Sequence, residues 1–307
     1  MTKIIDKLIE KLNEQNKSKR TIDIYVSRIK AIHGPKPIKT LRFLHNIDNI
    51  RKYFQKNKLS LTSQKSYLGA INTILKASGK SSDIKAIDGY KNFFNSEQLQ
   101  ELKPDEKTDK QENNWISWDN VLEIKQKLYE KAKQSFDDDI TPSKSSYNNI
   151  LKNFILSLYV NLQPRRSLDY SSMKIQSDNE QMDANTNYLT TDYHFVFNNY
   201  KTKDKYGQYN VDISENENLM NDLKMYLAVR KDNNDNMLLV KQNGNSFNQV
   251  NDITRLLNKI FGSNISVNMI RTIFVTSKYS DVKKEQQSDA YAMGHSVNIQ
   301  QNVYNKV

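Results

Sequence analysis

Over the first 85 positions apolar residues recur at helical intervals. Ile4, Ile5, Leu8, Ile9 and Leu12 share one stripe, and Ile22, Tyr25 and Ile29 form a second behind a capping residue, Ser18. Ile47, Ile50, Tyr53 and Phe54 mark a third helix, and Tyr67, Leu68, Ile71 and Leu75 a fourth. Residues 1–85 are therefore expected to form a small four-helix domain. The periodicity then fades, and 86–114 carries the polar run KPDEKTDKQENN, read as a solvated linker that ends at Trp115 and Trp118. Helical patterns return at 119–134 and 146–162, and the second is apolar enough for the central helix of another core. One stretch alternates instead: the arms 194–200 and 208–213 flank Lys203, Asp204 and Gly207, the pattern of a β-hairpin. Helical spacing resumes at 215–229, 248–260, 267–278 and 281–292. The expected fold is mainly α, with a small antiparallel β-hairpin or sheet in the second domain, 115–307.

Charge changes this picture more than composition does. The 307 residues hold 46 Lys+Arg and 35 Asp+Glu, a net +11, but the excess is local. Residues 1–85 carry 19 basic and 6 acidic side chains, net +13, which leaves 27 against 29 for the rest. Such a segment repels itself in isolation, and a polyanion such as double-stranded DNA is the partner that relieves it.

Cysteine is absent, which removes disulfides, thiolate metal sites and thiol nucleophiles. The four histidines, 33, 45, 194 and 295, include no pair at metal-ligand spacing, so neither metal nor cofactor is expected. A mean hydropathy of −0.79 and a start, MTKIIDKLIEKL, that mixes charge with Ile and Leu lead to the expectation of an intracellular protein without a membrane partner.

Four places in the second domain could carry chemistry, and each alone has a structural explanation. Arg165 and Arg166, with Asp169 after them, follow a long apolar helix, where arginines answer the helix dipole. Lys201 and Lys203 lie near the hairpin tip, where lysine is common for solubility. Asn268 and Arg271 are three apart on one helical face, suited to a structural ion pair. Gly294-His295-Ser296 is followed by Tyr304, nine residues after the histidine, and a tyrosine there could simply anchor packing.

Taken in order, the four resemble the catalytic set of the tyrosine recombinases, the phage-integrase-like family. R-S-L-D matches its first arginine and acidic partner at Arg166 and Asp169; the hairpin Y-K-T matches its lysine at Lys201. N-M-I-R matches the second arginine box at Asn268 and Arg271, and G-H-S-V-N-I-Q-Q-N-V-Y matches the His-to-Tyr interval at His295 and Tyr304. The wording L-Q-P-R-R-S-L-D-Y is also similar to integrases of large DNA viruses and their satellites. One departure is plain: Asn268 stands where the family has histidine, and an amide can donate a hydrogen bond but cannot carry a proton.

The resemblance implies a SAM-like helical DNA-gripping domain ahead of a catalytic domain, and DNA cutting and rejoining through a covalent 3′-phosphotyrosine. It implies no metal or small-molecule cofactor, and a homotetramer on paired DNA sites. Localisation would be the host cytoplasm or nucleus, or the virion, if the chain is viral. Tyr304 would be the nucleophile, Arg166, Arg271 and His295 would stabilise the phosphorane, Lys201 would protonate the leaving 5′ oxygen, and Asp169 would orient Arg166. Lys203, two residues nearer the tip of an extended arm, would stay in water. Nine residues of unbroken helix would put His295 and Tyr304 on opposite faces, so a break is expected near Ser296 to Asn298. A type IB topoisomerase-like nicking-closing enzyme and a DNA-binding protein without catalysis are the alternatives.

Overall fold

The computed structural model describes residues 3–94, 106–138, 142–177, 181–233, 235–247, 249 and 251–305. The chain divides into two units, Met1–Glu106 and Lys107–Val307. Part of the expected linker, 95–105, lies outside the described residues.

In the first unit, α1 (Lys3–Glu14) buries Ile5, Leu8 and Leu12, the stripe its spacing predicts. Ser18 opens α2 (Lys19–His33) by accepting from the Thr21 amide, and the helix buries Ile22, Val26 and Ile29. After a short 3₁₀ turn at Arg42–Leu44 come α3 (Ile47–Lys56), α4 (Leu61–Ser78) and α5 (Ser81–Phe94). Asn46 and Ser60 cap α3 and α4 in the same way as Ser18 caps α2. The fifth helix runs past residue 85, the boundary that periodicity predicts: Ile87 and Tyr90 are buried in the same core as Leu12 and Ile71. A polar tie reinforces it, with His45 Nε2 2.6 Å from Asp83 Oδ1 and the Ser78 hydroxyl donating to Asp83 Oδ2 at 2.6 Å.

The second unit is built around α8 (Lys144–Val160), which follows α6 (Asp109–Glu112) and α7 (Trp118–Asp138). Tyr147, Ile150, Leu151, Phe154, Ile155, Leu156, Leu158 and Tyr159 are all buried, so α8 is apolar around most of its circumference and acts as the core's axis. At about 1.5–3 kcal/mol for each large apolar side chain buried, this helix alone supplies a large share of the driving force. Helix α9 (Ser167–Ser171) follows at once.

The sheet has four strands in the order β1 (Met173–Ile175), β2 (Asn187–Leu189), β3 (His194–Phe197) and β4 (Tyr209–Asp212). The expected hairpin is β3–β4, with Phe195 opposite Val211 and Phe197 opposite Tyr209. Two strands join it that periodicity does not reveal. Because β1 runs parallel to β2, the sheet is mixed and not purely antiparallel. Between β3 and β4 the chain forms a short helix, α10 (Lys203–Tyr206).

Three longer helices complete the unit, α11 (Glu217–Val229), α12 (Asp252–Phe261) and α13 (Val267–Ala292). The two expected helices at 267–278 and 281–292 are one continuous helix of 26 residues, since neither Gly nor Pro interrupts the stretch between them. A short turn of helix, α14 (Val297–Ile299), and a π turn (Gln300–Tyr304) end the described chain. No helix among the described residues is long and apolar enough to cross a membrane.

Candidate active site

The loop from α8 to α9 and the first turns of α13 meet at one cluster. Arg271 Nε donates to the Pro164 carbonyl at 3.1 Å, so one hydrogen bond ties α13 to the backbone just before the Arg165-Arg166 pair. Asn268, one turn earlier and exposed, accepts from Arg271 Nη1 at a long 3.4 Å. Arg166 occupies the N-cap position of α9, and its carbonyl accepts from the Asp169 amide at 3.0 Å.

The expected partnership of Asp169 with Arg166 is corrected by the geometry. Asp169 Oδ2 accepts from Nε of Arg165 at 3.0 Å; the carboxylate side chain is 4% exposed and the arginine side chain 19%. Aromatic rings fix this choice. The Arg165 guanidinium carbon lies 3.8 Å from the centroid of Phe197 and 5.0 and 5.2 Å from those of Tyr200 and Tyr209. The hairpin thus clamps Arg165 beside Asp169, and among the described residues Arg166 has no carboxylate partner. Burial raises the Asp169 carboxyl above its ordinary value, with the Arg165 charge opposing the rise. Burial first, and then the Arg166 charge, hold the Arg271 guanidinium below its ordinary value. Three guanidinium groups against one carboxylate leave two positive charges, and arginine does not shed them at neutral pH. Like charges held together in a partly buried site suit an anion.

Sequence reasoning passes over two residues of this cluster. Arg165 reads as one half of an arginine pair, although its i,i+4 spacing to Asp169 is visible in the sequence. Tyr159, fully buried on α8, has a hydroxyl with no hydrogen-bond partner among the described residues. Burial pushes that hydroxyl well above its ordinary range; Tyr170 and Asp169 add to the rise and Arg271 opposes it.

Lys201 lies in the turn after β3, exposed and next to Tyr200. Lys203 is not on an extended arm and not free in water: it begins α10, and its Nζ donates to the Ala184 carbonyl at 2.7 Å.

His295 and Tyr304 are brought together, their ring centroids 5.0 Å apart. The break that permits this comes slightly earlier than expected. Helix α13 ends at Ala292, Gly294 takes a left-handed φ of 73°, and Ser296 caps α14 through the Ile299 amide. His295 Nδ1 lies 3.2 Å from the Ser296 carbonyl, while Nε2 is shielded and has no partner among the described residues. Tyr304 is 59% exposed, so it is no packing anchor. Gln301 Nε2 reaches back to Gln286 Oε1 at 3.2 Å, and Tyr304 lines a cavity of about 270 Å³ with Gln286 and Met293.

The two clusters stand apart within one chain. At about 1.5 Å of rise per residue along α13, Gln286 and Met293 lie roughly 22 and 33 Å along the axis from Arg271. Among the described residues, no three His, Asp or Glu side chains gather as metal ligands.

No family model matches the chain, and no curated protein sequence does. A crystal structure of XerA recombinase superposes on it with a TM-score of 0.34 at 17% identity, over 99% of this chain and 93% of that one.

Proposed function

We propose that the chain is a DNA breaking-and-rejoining enzyme, a site-specific recombinase that uses Tyr304 as its nucleophile. The observation that carries this reading is the bond from Arg271 Nε to the Pro164 carbonyl, which holds α13 beside the Arg165-Arg166 stretch, where three guanidinium groups face one carboxylate and leave charge over for a phosphate. Attack of the Tyr304 oxygen on a phosphodiester forms a P–O bond and breaks the bond to the 5′ oxygen. The pentacoordinate state gains negative charge, which fixed guanidinium forks stabilise, and the 3′-phosphotyrosine retains the ester's energy for rejoining. In this proposal His295 adds a donor, Lys201 protonates the 5′ oxygen, and Asn268 supports Arg271. Asp169 clamps Arg165, whose guanidinium lies against the rings of Phe197, Tyr200 and Tyr209. The basic surplus of residues 1–85 holds duplex DNA, and recombination pairs two duplexes in a homotetramer. A mobile-element or viral setting, suggested by L-Q-P-R-R-S-L-D-Y, belongs to the same proposal.

The distance of Tyr304 from Arg271 along α13 favours a second reading, a DNA-binding protein without catalysis. A nicked duplex carrying the cognate site separates the two: the enzyme is trapped as a covalent, protease-sensitive adduct, and the binder is not. Tyr304→Phe should bind the same DNA and give no adduct; an adduct that persists in the variant refutes Tyr304 as nucleophile.

A further inference from the structure

We infer that the second unit carries a separate anion site, one that takes a short chain of phosphates, either a free polyphosphate or the triphosphate of a nucleotide. The inference goes beyond the recombinase reading and stands whether or not the chain cuts DNA. Three elements meet at a cavity of about 360 Å³ and bring cations to it. Helix α8 contributes Lys144, Asn148 and Leu151, which helical spacing puts on one stripe. Helix α12 contributes Asp252, Arg255 and Lys259 in the same way. Between the two helices the chain turns back on itself, with Val240 bridged to Ser246 and Gly244 at a left-handed φ of 84°, and this turn brings in Lys241 and Phe247.

Charge decides what fits. Four cationic side chains line the cavity against the single carboxylate of Asp252. That carboxylate is already shared, with Lys241 Nζ 2.8 Å from its Oδ2 and Arg255 Nη1 3.6 Å from its Oδ1. Lys144 and Lys259 are exposed and have no carboxylate partner among the described residues. Lys144 also stands at the first position of α8, whose first turn holds no acidic residue, so the helix dipole repels it. Cations gathered in this way favour a ligand that brings several negative charges in a short span. A chain of phosphates does so, and Gln242 and Asn243, which line the same cavity, carry amide groups that can donate to its oxygens. A duplex instead spaces its phosphates along a rod and meets a protein as a line of contacts. The site is also distinct from the arginine cluster: Lys144 lies roughly 24 Å along α8 from Val160, and the chain reaches Arg165 and Arg166 only after Val160.

Calorimetric titration of the full-length protein at about 0.1 M salt, where charges more than about 10 Å apart are largely screened, tests the site. Tripolyphosphate should bind, and Lys144→Gln with Lys259→Gln should raise its Kd about tenfold or more. Both lysines are exposed, so the variant loses no packing in the core. Arg166→Ala, at the arginine cluster, and Lys3→Gln with Lys7→Gln, in the basic first unit, should leave that Kd unchanged. ATP is the second arm: a Kd about tenfold or more below that of tripolyphosphate assigns the site to a nucleotide, and a Kd no lower than that of tripolyphosphate assigns it to the phosphate chain alone. Acylation of amines read by mass spectrometry gives an independent measure, since bound tripolyphosphate should shield Lys144 and Lys259. No binding, a Kd that the double variant leaves unchanged, or binding lost in Arg166→Ala instead overturns the inference. So does a double variant that weakens binding of duplex DNA when tripolyphosphate does not bind, which would make the cavity a contact for the DNA backbone.

Discussion

Replacing Arg165 with alanine removes the one side chain that, among the described residues, pairs with the buried Asp169 carboxylate. That carboxylate is 4% exposed, and Arg165 supplies the 3.0 Å hydrogen bond to it from within an aromatic clamp. Taking one partner from a buried ion pair costs about 3–5 kcal/mol, because the remaining charge stays desolvated and uncompensated. The expected loss in the second unit is therefore about 3–5 kcal/mol at pH 7. Its pH dependence identifies the cause. Asp169 is already raised by burial against the opposing charge of Arg165, so removing Arg165 raises it further. A carboxyl raised in the folded state binds its proton more tightly folded than unfolded. Stability is then recovered as pH falls through the folded value toward the ordinary carboxylate range, and the deficit persists in full above it. The gap between Arg165→Ala and wild type should accordingly narrow below neutrality. Adding Asp169→Asn should recover at least about 1 kcal/mol at pH 7, since the orphaned charge is gone. Urea unfolding followed by tryptophan fluorescence reads this unit alone, because both tryptophans, Trp115 and Trp118, belong to it. A loss under about 1 kcal/mol, a pH-independent gap, or a double variant no better than the single would refute the reasoning.

Tyr159→Phe deletes a buried hydroxyl that has no partner among the described residues and should leave stability unchanged or raise it by about 1 kcal/mol in the same unfolding assay. A loss above that would mean the hydroxyl is bonded in solution. Lys201→Ala should cleave a normal phosphodiester slowly and a 5′-sulfur-bridged one at nearly the wild-type rate, since a thiolate leaves without a proton; Lys203→Ala, whose amine is engaged by Ala184, should show no such rescue. If the rescue belongs to Lys203, the acid has been assigned to the wrong lysine. In the first unit Lys3, Lys7, Lys39 and Lys80 line one cavity of about 340 Å³. Lys3→Gln with Lys7→Gln in the full chain should flatten the log-log salt dependence of duplex binding by about 0.9 for each phosphate no longer neutralised. An unchanged slope would move the DNA face elsewhere on that unit.

The helices that bury one regular stripe are legible from spacing alone, as Ile5, Leu8 and Leu12 show. So is α8, where Ile150, Leu151, Phe154, Ile155, Leu156, Leu158 and Tyr159 put apolar side chains around most of the helix. Strands β1 and β2 are not, because three residues are too few for alternation to register, and their pairing depends on partners elsewhere in the chain. The division of α13 into two helices comes from the same rule misapplied. Its buried stripe stops at Ile273, and the loss of periodicity marks the end of burial and not the end of the helix. At the site, residue types and order are readable, but which arginine meets Asp169 is decided by the rings of Phe197, Tyr200 and Tyr209 arriving from the hairpin. The tie from Arg271 to Pro164 is likewise a long-range bond to backbone, which leaves no mark on local composition.

Helix α13 also carries a gradient of local stability. Its first turns are held by Met269, Ile270 and Ile273, so their amides open only when the core opens. From Phe274 to Asn305 only Ala290 is buried among the described residues, and a helix without tertiary packing is marginal in water. Backbone protons there should exchange with solvent through small local openings, orders of magnitude faster than those around Arg271. Along α13 the arginine end thus belongs to the slow-breathing part and the tyrosine end to the fast, and a binding event that slows exchange between Val275 and Tyr304 would report engagement of the proposed nucleophile before any bond is made.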